Sequence, residues 1–182
     1  MANHRIRHPK AYFDSAKGYQ AAADRLLLTI EAGEGLPIRD PVHFLFAQTV
    51  ELALKACLLS RGFQPARVGR AGHGISGLYD QCRDETLVGT NDPHRLMDLL
   101  IGILESGNEY HQYRYPDEPL VRRAVPNLTW TREVVGQLMA DVKPHVDAWA
   151  AANPAVSAPT STRIAFGKPT FTHQPIPERS GR

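Results

Sequence analysis

Lysine is scarce in this chain of 182 residues. Lys10, Lys17, Lys55, Lys143 and Lys168 are all it has, and arginine makes up the rest of its 21 basic side chains. Against 19 carboxylates the formal net charge is +2, too small to point by itself to a polyanionic partner. Cysteine is scarcer still. Cys57 and Cys82 stand in helical contexts without CxxC or metal-ligand spacing. That excludes a disulfide framework, makes Cys57 a small buried hydrophobe, and suits a reducing, cytoplasmic setting. Neither strand-like alternation of useful length nor an internal repeat occurs. The basic start MANHRIRHPK has no apolar stretch behind it, so no signal peptide is expected. One long apolar run exists, but His43, Gln48, Glu51 and Lys55 interrupt it and argue against a membrane span. GxxxxGK[ST], HExxH and Gly-x-Ser-x-Gly are all missing, so no cofactor and no metal are expected.

What is present is organised around that run, DPVHFLFAQTVELALKACLLSRG, from Asp40 to Gly62. Asp40 suits a helix N-cap, Pro41 the first helical position, and Gly62 the stop. Val42, Leu45, Phe46, Val50, Ala53, Leu54, Cys57 and Leu58 fall on most sides, the pattern of a central core helix. Gln48, Glu51 and Lys55, three and four residues apart, share the one polar stripe.

Before it, residues 9–32 read as a helix with Tyr12, Ala16, Tyr19, Ala23, Leu26 and Ile30 on its apolar stripe. Gly33 and Gly35 end it, and the short loop makes the first two helices an antiparallel αα-hairpin. A short helix is expected from about Ile75, weakened by Gly77. Asn91-Asp92-Pro93 reads as another helix start. Leu96, Leu99, Leu100, Ile103 and Leu104 then form an apolar face that Gly107 closes. Thr129 suits the cap of a last helix running to about Ala151, with Val135, Leu138, Val142 and Trp149 on one face and a kink or break near Pro144. Residues 153–182 are rich in proline, serine and threonine and read as an unstructured tail, although Ile164, Phe166 and Phe171 are suited to local docking. The expected architecture is all-α: an antiparallel four- to five-helix bundle over residues 1–152, followed by a disordered C-terminal tail.

The central helix and the GHGISGLYDQC segment after it together resemble the HEPN superfamily of small helical-bundle domains. The matching positions are Glu51 and Lys55 at i,i+4, the apolar run around them, and Gly72-His73 ahead of a short helix. Arg114-Tyr115-Pro116 is similar to a segment of some members. The resemblance spans roughly residues 10–150. It implies a four- or five-helix bundle and homodimerisation. It also implies a role in RNA cleavage, in nucleotide binding, or as the partner of a nucleotidyltransferase, with prokaryotic defence and toxin–antitoxin systems as the setting. Ribonuclease members carry an arginine and a histidine separated by four to six intervening residues at the start of a late helix. Here only Arg67 and His73 meet that spacing, and they do so in the loop after the central helix. Random placement of this many arginines and histidines yields roughly two such pairs, so the catalytic pattern is missing.

Each candidate residue has a plain reading beside the sharper one. Glu51 and Lys55 are either a structural pair or part of a ligand site; on an exposed helix such a pair contributes only about 0.2–0.5 kcal/mol. His73, flanked by Gly72 and Gly74, either fixes its loop by a hydrogen bond or serves as a general base or phosphate contact. Arg114 with Tyr110, Tyr113 and Tyr115 either seals one end of the bundle or stacks bases and holds a phosphate, with His111 a second titratable group nearby. His43 and His94 read as surface or capping residues near helix starts. The function expected is a nucleotide- or RNA-associated binding module with Glu51, Lys55, His73, Arg114 and Tyr115 at the site. The enzyme alternative is a metal-independent ribonuclease using His73 or His111 with Arg114. A third is a dimeric interaction protein without a ligand.

Overall fold

Five helices run through the described residues of this computed structural model, which are 8–31, 39–65, 68, 74–89, 95–109 and 127–154, and no strand occurs among them. They are α1 (Pro9–Glu31), α2 (Arg39–Ser60), α3 (Ile75–Asp84), α4 (Leu96–Glu109) and α5 (Leu128–Ala152). The all-α bundle expected from periodicity is present.

The helix α2 lies at the centre, packed on every other helix. Phe46, Val50, Leu54 and Leu58 are completely enclosed, and burying each such side chain is worth about 1.5–3 kcal/mol. By length and composition Pro41–Ser60 is apolar enough to cross a membrane, yet 78% of that window is buried inside the bundle. This is the burial of a core helix. Its first turn begins at Arg39, so Asp40 lies within the helix rather than capping it, and Pro41 still sits where no intrahelical N–H bond is required. Gly62 ends it as expected. At φ +87° it adopts the left-handed conformation, and the Gly62 and Phe63 amides donate to the Leu59 and Leu58 carbonyls in a Schellman motif. Early α1 lies against late α2, with Ala11, Tyr12, Ser15 and Tyr19 beside Leu52, so the pair is an antiparallel hairpin.

Two faces are rotated from their expected directions, whereas Val135, Leu138 and Val142 of the last helix are buried as expected. On α1 the buried line is Phe13, Ala16, Ala23 and Leu27, while Tyr19 is exposed. The core lies toward Phe13 because α5 and α2 together cover that side. On α4 the buried residues are Met97, Leu100, Ile101 and Leu104, leaving Leu96 and Leu99 exposed. That helix also continues through Gly107 to Glu109. On α5 the cap is Asn127 rather than Thr129: its Oδ1 accepts from the Thr129 and Trp130 amides at 2.9 and 3.1 Å. The helix α5 runs unbroken through Pro144. Residues 140 and 144 both face solvent, so the carbonyl that proline leaves without an amide partner is open to water.

Cross-helix polar contacts tie the smaller helices down. Asp141 Oδ2 accepts from the Gly89 amide at 3.1 Å, and His145 Nε2 lies 3.1 Å from the Leu87 carbonyl, so one face of α5 pins the chain leaving α3. His8 stacks on Trp149 with ring centroids 5.8 Å apart, joining the start of α1 to the end of α5. Cys57 and Cys82 are both fully buried. The neighbouring Cys57 side chain and burial together push the Cys82 thiol well above its ordinary range.

Candidate functional site

The polar stripe on α2 is real, and it is enclosed. Lys55 Nζ lies 2.7 Å from Glu51 Oε1, with side-chain exposures of 11% and 4%. An i,i+4 pair on an open helix face is cheap and weak; inside a bundle each charge has given up water and depends on its partners. One turn earlier on the same stripe, the Gln48 amide nitrogen is buried with no hydrogen-bond partner. A buried donor left unsatisfied costs about 1–3 kcal/mol. The other polar residues of α2 are handled differently. Thr49 donates back to the Leu45 carbonyl at 2.9 Å, and His43, expected at the surface, is completely buried.

Beside this stripe the α1–α2 surface opens into a shallow cavity of about 300 Å³, lined by Ala11, Tyr12, Ser15, Tyr19 and Leu52. Among the described residues none that lines it is charged. Glu51 and Lys55 do not line it, so the pair and the cavity are neighbours along α2 rather than one pocket.

His73, His111, Arg114 and Tyr115, with Gly72, Arg67, His94, Tyr110 and Tyr113, lie outside the described residues. Of the expected site the structure brings together Glu51 and Lys55. The chain directly after His73 is described and is firmly placed. Gly74 stands at the N-cap of α3 and offers no side chain, and Glu105 on α4 fills that role, its Oε2 accepting from the Ile75 amide at 2.6 Å and the Ser76 amide at 3.3 Å.

A second polar cluster had no signature in the sequence. Asp98 on α4 bridges two guanidinium groups: Arg95 Nε at 2.6 Å and, across from α3, Arg83 Nη1 at 3.4 Å. Arg83 also reaches Asp80 at 3.2 Å and lies over the Tyr79 ring. Tyr79, Arg83, Arg95, Asp98 and Gly89 line a cavity of about 230 Å³. A Cβ on Gly89 would stand 3.1 Å from the Tyr79 hydroxyl oxygen, so the tight approach suits glycine there. Burial opposes ionisation of Asp98, but the Tyr79 hydroxyl and the Arg95 guanidinium outweigh it and hold the carboxyl below its ordinary 3.8. Two arginines against two carboxylates leave this cluster neutral. It joins residues on separate helices, and only folding reveals such a grouping.

Among the described residues no group of three or more His, Cys, Asp or Glu side chains could hold a metal ion. Comparison of the chain with protein-family models, with curated proteins and with solved structures finds no match in any of the three.

Proposed function

We propose that this chain is a HEPN-like, cytoplasmic binding module for a nucleotide or an RNA segment. In this reading it acts as a homodimer beside a nucleotidyltransferase-type protein in a prokaryotic defence or toxin–antitoxin system. One observation carries the proposal: the otherwise apolar central helix encloses the Glu51–Lys55 ion pair. Replacing a buried ion pair by apolar side chains of similar volume is often neutral or stabilising, so the core has no need of these charges. The unpaired Gln48 amide one turn away adds a donor suited to an acceptor on a ligand. Lys55 supplies the cation for a phosphate, and Glu51 holds it in place at 2.7 Å.

Native mass spectrometry of the purified protein tests this directly, because it reports subunit number and any retained nucleotide or RNA in one spectrum. Anisotropy of a fluorescein-labelled oligoribonucleotide provides the titration, with Lys55→Met as the comparison. Absence of a bound mass together with a flat titration to about 100 µM protein would sink the reading. A ligand-free bundle that serves protein association is the rival, favoured by Leu28 and Leu99, both more than half exposed at 59% and 56%. A dimer mass without any ligand selects it.

A further inference from the structure

Both α1 and α5 pack on α2 but touch each other only lightly, leaving a groove of about 330 Å³ between them. Its floor is apolar, made by Phe13, Met139 and Val146. Its α5 wall includes the small residues Gly136, Ala140 and Ala150, spread over about 21 Å or four turns of helix. Gly136 is conspicuous. It sits inside a long helix, where glycine is unfavourable relative to alanine, and a Cβ there would meet nothing within 4 Å. The fold itself therefore does not require a glycine at this position. A second backbone approaching along the groove would.

The rim has its own chemistry. Of the five lysines in the chain, Lys10, Lys17 and Lys143 stand on this groove, facing two carboxylates, Asp14 and Asp147. Lys10 and Lys17 share Asp14, at 2.8 and 2.6 Å, while Lys143 pairs with Asp147. Among the described residues the rim thus carries one cation in surplus above an apolar trough. Charge selects among the occupants. The chain's own residues 155–182 contain Arg163, Lys168, Arg179 and Arg182 against Glu178 alone, so they match the rim in sign. RNA would meet the ammonium groups and leave the trough unfilled.

We propose that the α1–α5 groove is a docking site for an acidic amphipathic helix of a partner protein, its apolar stripe on Phe13, Met139 and Val146 and its carboxylates along Lys10, Lys17 and Lys143. This is helix-in-groove recognition, with the anchors one and two turns apart. It is independent of the nucleotide reading, since it uses a different face of the bundle.

The test uses the full chain and a pair of fluorescein-labelled helical peptides. One carries leucines at i, i+4 and i+7 flanked by glutamates; the other has lysines in place of the glutamates. The acidic peptide is expected to bind saturably, with a Kd below about 50 µM, and the basic one at least about tenfold more weakly. Gly136→Leu, whose Cβ has open space around it and whose side chain occupies the trough, and the triple variant K10E/K17E/K143E are each expected to weaken the acidic peptide about tenfold or more. Thermal unfolding by circular dichroism confirms that both variants remain folded. Equal binding of the two peptides, no binding of either, or a folded Gly136→Leu variant that binds as before would overturn the proposal. So would an oligoribonucleotide that needs the three lysines while the acidic peptide is ignored, which makes the face a nucleic-acid surface. A dimer that Gly136→Leu dissolves, without peptide binding, overturns it in favour of a second copy.

Discussion

Glu105 caps a helix that is not its own: one carboxylate oxygen accepts from the Ile75 amide at 2.6 Å and from the Ser76 amide at 3.3 Å, across the α3–α4 contact. The residue at the α3 N-cap, Gly74, has no side chain with which to do this. A carboxylate there also meets the positive end of the helix dipole. Glu105→Ala is expected to cost about 1–2 kcal/mol in urea unfolding. Glu105→Gln, which keeps an acceptor oxygen, should recover part of that. Amide hydrogen exchange should show the loss concentrated in residues 75–84; a uniform loss across all five helices would contradict a local cap.

Thr86 ends α3 in a conformation made for glycine. Its φ is +54°, and the Thr86 and Leu87 amides donate to the Arg83 and Cys82 carbonyls in the same Schellman pattern that Gly62 completes after α2. A β-branched residue in the left-handed region is strained by roughly 1–2 kcal/mol, and glycine's extra freedom in the unfolded chain returns part of that. Thr86→Gly is therefore expected to stabilise the protein by about 0.5–1 kcal/mol. An unchanged or lowered melting temperature would contradict the strain argument.

The buried pair on α2 predicts a particular pattern of non-additivity. Glu51→Leu or Lys55→Met alone leaves a charge in the core without its 2.7 Å partner, and each is expected to cost about 3–5 kcal/mol. The double variant removes both charges and should regain most of the loss. Denaturant unfolding of the four proteins closes the cycle. If the double variant is as unstable as the two single losses added together, the two side chains are not compensating each other.

Stability should fall in acid because of two carboxyls held below 3.8. At Asp98 burial works against ionisation but Tyr79 and Arg95 outweigh it; at Asp14 burial is likewise outweighed by Lys10 and Lys17. In each case the unfolded chain takes up its proton at a higher pH than the folded protein does. The contribution is thus complete above the unfolded value near 3.9 and disappears as pH falls through the lowered folded value. Urea midpoints measured between about pH 6 and 2 should decline, and Asp98→Asn should flatten that decline. An equally steep decline in Asp98→Asn would exclude this carboxyl as a source.

How much of this was legible in the order of residues depends on distance along the chain. Helices α1 and α2, the glycine stop at Gly62, the short helix from Ile75 and the Gln48–Glu51–Lys55 stripe all follow from neighbours within four residues of one another. Periodicity and turn chemistry operate at that range. The direction each helix faces does not. Tyr19, Leu96 and Leu99 are exposed because an apolar stripe wider than the contact surface allows several rotations, and only the packed neighbours select one. Asn127 displaced Thr129 as the cap because two capping residues stand two positions apart and the point at which the backbone enters the helix decided between them.

The sequence by itself determined an all-α chain with a single apolar helix at its centre and a polar stripe on that helix, since hydrophobic spacing leaves no other economical way to bury it. Tertiary structure alone decided that the stripe would be enclosed, and that Glu105 would serve a helix thirty residues earlier in the chain. It also decided that Arg83, Arg95 and Asp98 would meet, and that three of five lysines would border one groove. Those relationships depend on which helices become neighbours, a choice made by the summed packing of the whole core and carried by no local pattern.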